Sequence, residues 1–189
     1  MSLPFAHHLT QHRELFARLD AMAPDVERAA TVIADALRAG GKAMFCGNGG
    51  SAADSQHLAS ELTGRFVNDR RPLAGLALST DSSALTCISN DYAFDQVFER
   101  QVRGLGRRGD VLIAISTSGK SANVLRAVHA SRELGISVVG LLGRDGGPLK
   151  ALCDVALVVP SDTTARIQEA HIFIGHTLCA LVEASLDLA

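Results

Sequence analysis

A chain of 189 residues has the size of one domain, and 47% hydrophobic with only 4% aromatic residues describes a core of Ala, Val, Leu and Ile, suited to helices packed on a parallel sheet. A formal net charge of -2 provides no basic field for a nucleic-acid backbone beyond the local pair Arg107 and Arg108, so nucleic acid is not an expected partner. The opening MSLPFAHHLTQHRE has no basic region followed by an apolar run, and no stretch approaches the roughly 20 apolar residues of a membrane span. The expectation is therefore a soluble, unexported, cytoplasmic protein without a membrane partner. Cys46, Cys87, Cys153 and Cys179 stand singly with no CxxC pair, which predicts buried reduced thiols rather than a zinc knuckle or a disulfide framework.

Over residues 1–40 the apolar positions are spaced for two helices. Phe5, Leu9, Leu15, Phe16 and Leu19 form one stripe, and Val26, Ala29, Val32, Ile33 and Leu37 form another, stopped by Gly40 and Gly41. Both precede the first strand, so they need not belong to the sheet layer and are expected to pack against another subunit. Thereafter strands are predicted at Ala43–Cys46, Leu76–Leu78, Val111–Ile115, Val138–Leu142 and Val155–Val159. Helices are predicted over Ala52–Thr63, Ser82–Ser89, Asn123–Leu134 and Ala165–Ser185. This alternation implies an α/β fold with a parallel, doubly wound sheet and right-handed crossovers. No linker or repeat interrupts it, and residues 1–189 read as one domain.

Two strands end in small polar residues that run straight into a helix: Cys46-Gly47-Asn48-Gly49-Gly50-Ser51 and Ser116-Thr117-Ser118-Gly119-Lys120-Ser121. The carboxyl ends of parallel strands are where open α/β sheets bind ligands. Glycine lets backbone approach an anion, hydroxyls donate to it, and free amides at a helix start favour negative charge. The second loop, with four hydroxyl residues and no carboxylate, is the better phosphate cradle. The same residues also make ordinary turns and N-caps, but two such loops on neighbouring strand–helix units favour a ligand. A nucleotide P-loop ending at Gly119-Lys120-Ser121 needs glycine where Ala114 stands. Gly47, Gly49 and Ala52 fit the degenerate dinucleotide pattern, yet the ribose-binding acid should close the second strand roughly 20 residues on, where Phe66 to Pro72 stand instead, and the nearest acid after a strand is Asp81.

His57 and Glu61 stand at i,i+4 behind the first loop, on one helix face, able to bind one metal ion or exchange one proton, or to form a plain salt bridge. Near the C-terminus Gln168 and His176 fall about two turns apart on nearby faces of an otherwise apolar helix, where buried polar groups need partners. His171 is a third polar group on that helix.

These segments carry a more specific signal. GNGGSAADSQHLASE, ISNDYAF, ISTSGKSANVL and ARIQEAHIFIGH, in that order from Gly41 almost to the end of the chain, resemble the successive motifs of the phosphoheptose isomerases, a branch of the sugar isomerase (SIS) family. The resemblance implies a flavodoxin-like, mainly parallel five-stranded sheet and a homotetramer with active sites between subunits. It also implies one zinc ion per subunit, held by His57, Glu61, Gln168 and His176, although Gln is an unusual zinc ligand. By the same resemblance Asn48, Gly49, Gly50 and Ser51 touch the sugar, Asn90 and Asp91 hold its hydroxyls, and Ser116, Thr117, Ser118 and Ser121 bind the phosphate, with Glu61 and Gln168 also at the substrate.

The implied reaction converts sedoheptulose 7-phosphate to D-glycero-D-manno-heptose 7-phosphate through an enediol, the first step toward heptose precursors such as those of lipopolysaccharide. Moving a proton between C1 and C2 needs a base, an acid and help for the developing oxyanion. Glu61 as carbon base and His176 as proton shuttle meet the need, or the two in exchanged roles, with zinc polarising a sugar oxygen. His171 lies outside the implied metal set and is expected to support or pack. Other SIS proteins bind a sugar phosphate for regulation, one relative binds the replication initiator protein, and further isomerases act on glucosamine or arabinose phosphates. The presence of Glu61 and His176, with the QHLASE and QEAHIFIGH segments, favours the heptose enzymes.

Overall fold

The computed structural model describes residues 4–188. Its order is α1 (Phe5–Phe16), α2 (Ala23–Arg38), β1 (Ala43–Cys46), α3 (Gly50–Thr63), β2 (Gly75–Ala77), α4 (Ser82–Asp91), α5 (Val97–Leu105), β3 (Val111–Ser116), α6 (Ala122–Leu134), β4 (Ser137–Gly143), β5 (Val155–Val159) and α7 (Thr164–Ser185), with single 3₁₀ turns at Leu19–Met22, Phe94–Gln96 and Lys150–Leu152. The strands pair in the order β2-β1-β3-β4-β5, every pair parallel. This is the flavodoxin-like order, wholly parallel rather than mainly so.

Alternation along the strands divides the core. Val111, Ile113 and Ile115 of β3 pack with α2, α3 and α7 on one face, while Leu112 and Ala114 pack with α5 and α6 on the other. Both faces are covered, which is why the strands read as unbroken apolar runs. Of the two N-terminal helices, α2 buries Val26, Ala29, Ala30, Ile33, Ala34, Ala36 and Leu37 and is part of the covering layer, whereas α1 buries only Leu15. With large aliphatic side chains contributing about 1.5–3 kcal/mol each on burial, α2 is integral to the core and α1 alone is an appendage.

The helix α5 is an addition to the sequence reading. It carries three buried apolar residues, Val97, Phe98 and Val102, within a charged segment, too few to stand out by composition. Among the cysteines, Cys46 and Cys179 are buried and Cys153 half-buried, with burial pushing each thiol up to about 12. Cys87 departs from the expectation and is exposed on α4, beside Asp91. Among the described residues no helix is long and apolar enough to cross a membrane.

Candidate active site

Because β2 lies outside β1 and β4 outside β3, the sheet changes direction between β1 and β3, and the two polar loops flank that switch point. They are tied together: Asn48 Nδ2 donates to Asn123 Oδ1 at 2.9 Å and Asn123 Nδ2 donates back to Asn48 Oδ1 at 2.8 Å. Asn123 is buried, so this reciprocal amide pair fixes the spacing of the loops. Sequence reasoning passed over Asn123; its signal was an amide at a helix start followed by the core residues Val124 and Ala127. In the second loop the hydroxyls of Ser116 and Ser121 stand 3.0 Å apart, and the Lys120 amide donates to Ser118 Oγ. No acid occupies the first turn of α6, and its N-cap Ser121 makes no capping hydrogen bond. That leaves a loop of hydroxyls beside a helix start free of negative charge.

Helices α3 and α7 both start at the carboxyl edge of the sheet and run side by side. At their first turns a Cβ on Gly50 would stand 2.2 Å from Gln168 Nε2, and further along a Cβ on Gly175 would stand 2.6 Å from Leu58 Cδ1. Glycine at 175 lets the helices close on each other, and glycine at 50 leaves room for the Gln168 amide. Next to the Gly175 contact, Glu61 Oε1 lies 3.0 Å from His57 Nε2, which lies 3.3 Å from His176 Nε2. One ligand atom from each of the three falls within 4.8 Å of the others. Donor atoms about 2.0–2.1 Å from a tetrahedral zinc are about 3.3 Å from one another, so this His, Glu, His trio suits a metal of that size and donor preference. Asp54, one turn before His57, adds a carboxylate whose Oδ2 is buried without a partner. Burial raises its pKa, opposed by the nearby His57 and His176. Its position at i,i+3,i+7 with His57 and Glu61 was the sequence signal for it.

Three of the four expected metal ligands thus come together. The amide of the fourth, Gln168, lies against Gly50 at the start of α3. Asn90 and Asp91 lie exposed at the far end of α4, where Asn90 Nδ2 donates to Asp91 Oδ1 and keeps that carboxyl below its usual range. His171 is fully buried with Nε2 2.9 Å from the Leu142 carbonyl, and desolvation drives its pKa down to about 4. It is a neutral packing group away from the trio.

A flavodoxin-ordered sheet with hydroxyl loops at its switch point is an α/β frame suited to a phosphorylated ligand, and the family described as SIS domain matches residues 7–143. A phosphoheptose isomerase of Rhodospirillum rubrum is 57% identical over 173 residues, covering 92% of each chain. The solved phosphoheptose isomerase of Neisseria gonorrhoeae is 47% identical with a TM-score of 0.90, covering 95% of this chain and 96% of its own. That of Francisella tularensis, with the same coverage, is 37% identical with a TM-score of 0.92. The chain belongs to the SIS family and, within it, to the phosphoheptose isomerases.

Proposed function

We propose that the chain converts sedoheptulose 7-phosphate to D-glycero-D-manno-heptose 7-phosphate, an aldose–ketose isomerisation at the head of heptose precursor synthesis, in the cytoplasm and as a single SIS domain. The observation that carries the reading is the cluster of Glu61, His57 and His176, which brings a carboxylate and an imidazole, the base and acid the reaction needs, to one place. The hydroxyls of Ser116, Thr117, Ser118 and Ser121 take the phosphate, with the α6 start supplying a favourable field. Asn48, Gly49, Gly50 and Ser51 line the sugar. Glu61 removes the carbon proton and His176 moves protons at the sugar oxygens. His57, Glu61 and His176, with Gln168 as the fourth group, would hold zinc, which supplies Lewis acidity at a sugar oxygen when bound.

The reading includes a homotetramer with the site completed between subunits. One feature supports it. Phe173 is 49% exposed on α7, at the edge of an apolar groove of about 310 Å³ shared with Phe16, Leu19, Met22, Val26 and Leu181, a surface suited to another protein face.

The test is turnover of sedoheptulose 7-phosphate by the native protein and by Glu61→Gln, with zinc and after chelation. Loss of at least ~10²-fold in Glu61→Gln is the size expected for removing a general base, and chelation should lower turnover in parallel with loss of bound zinc. Full activity in Glu61→Gln would remove the acid–base assignment.

A further inference from the structure

The segment between α3 and β2 was left without a role by the sequence, yet it contains a buried ion pair. Arg70 Nε donates to Glu183 Oε1 at 2.6 Å, and each side chain is only 2% exposed. Removing two charges from water costs several kcal/mol per ion before their attraction offsets it, so stability alone is a weak reason for such a pair. What the pair holds is more informative.

The guanidinium donates from Nη2 to the Glu61 carbonyl at 2.7 Å, and from Nη1 to the carbonyls of Leu62, Gly64 and Arg71. Those of Glu61 and Leu62 are among the acceptors left open at the end of a helix. Gly64 ends α3 at φ -88°, ψ -108°, outside the left-handed conformation that closes many helices; Arg70 supplies donors there instead, joined at the Leu62 carbonyl by the Leu73 amide. The same Glu183 oxygen accepts from the Phe66 amide at 3.2 Å, and the Phe66 ring lies 5.6 Å from the His176 ring. Glu183 is itself on α7, seven residues beyond His176 and so two turns along a nearby face. A single carboxylate therefore anchors the clamp on the helix end that carries Glu61 and the ring that lies against His176.

We propose that residues 64–72 form a strap that sets the relative positions of Glu61 and His176, with Phe66, Arg70 and Glu183 as its positioning residues. The proposal rests on the acid–base reading of that pair. It is tested with Phe66→Ala, Phe66→Tyr and the double variant Arg70→Met/Glu183→Leu, which removes both charges together and so leaves no unpaired one. For each, kcat, KM, Tm and the zinc affinity of the metal-free protein are measured beside Glu61→Gln.

The strap predicts that Phe66→Ala and the double variant lose at least ~10-fold in kcat with KM within about twofold. It also predicts about tenfold weaker zinc binding, the lower end of the effect of removing groups that orient metal ligands. Phe66→Tyr, which keeps the ring, should return both quantities to within about twofold of the native protein. If Glu61→Gln is crippled while Phe66→Ala keeps native kcat and zinc affinity, with only Tm altered, the strap is a structural element and the proposal is overturned. If Glu61→Gln is fully active, the acid–base reading fails and the proposal with it. Should the double variant not fold, Phe66→Ala decides alone.

Discussion

His171 makes the folded protein sensitive to mild acid. Its Nε2 donates to the Leu142 carbonyl, its Nδ1 is buried with no partner, and the side chain is wholly inaccessible. Protonation would place a charge and a second N–H in apolar surroundings with nothing to accept it. Lowering this group from 6.5 to about 4 is a preference for the neutral form of about 3 kcal/mol, at about 1.4 kcal/mol per pH unit. Between those two values the unfolded chain binds a proton at His171 and the folded chain does not. Stability from this group is therefore complete above about pH 6.5, falls as the pH drops toward about 4, and levels off below. The perturbation is His171→Gln, which can still donate to Leu142 but does not titrate. In urea unfolding at fixed protein concentration, the native protein should lose about 2–2.5 kcal/mol more than the variant between about pH 7 and about pH 4.5. Other titrating groups are common to both proteins and cancel in the comparison. Equal losses in the two would refute the reasoning and mean that Nδ1 finds an acceptor in solution.

The close approach of α3 and α7 gives a second prediction. Gly175→Ala puts a methyl group 2.6 Å from Leu58 Cδ1; overpacking of this kind costs about 1–3 kcal/mol and should lower turnover by parting His57 from His176. Combining it with Leu58→Ala, which makes room, should recover activity, and a double variant no better than Gly175→Ala would count against the contact. Away from the site, Asp110 is buried and accepts from the Lys42 amide, Lys42 Nζ and the Arg107 amide. Asp110→Ala strands those donors and should cost about 3 kcal/mol in denaturant unfolding with kcat unchanged in the fraction that remains folded.

Much of the architecture could be read before any coordinates. Strands β1 and β5 have the limits expected from their apolar runs, and β2, β3 and β4 differ by a residue or two at their ends. A parallel sheet covered on both faces writes itself as short continuous runs of aliphatic residues, and the helices between them follow the 3.6 period. The polar loops were legible for the same local reason: glycine, serine and threonine packed between a strand and a helix have few purposes. The segment Val97–Leu105 was missed because its interior face is only three residues deep and the rest is charged.

The site divides in the same way. His57 and Glu61 lie on one helix face by spacing alone, and the ordered motifs point to a family whose chemistry uses them. That is what the sequence by itself determined: the parallel α/β class, the two ligand loops, and the residue types from which a sugar-phosphate isomerase is built. Tertiary structure alone decided that His176 meets His57 while Gln168 meets Gly50, that Asn48 is locked to Asn123, and that α2 joins the core while α1 does not. It also decided that Arg70 and Glu183 bury their charges beneath Glu61. The reason is physical. Helical and strand periods are enforced by neighbours a few residues away, whereas the partner of a buried polar group is chosen by which distant elements the fold brings into contact, and no local pattern encodes that choice.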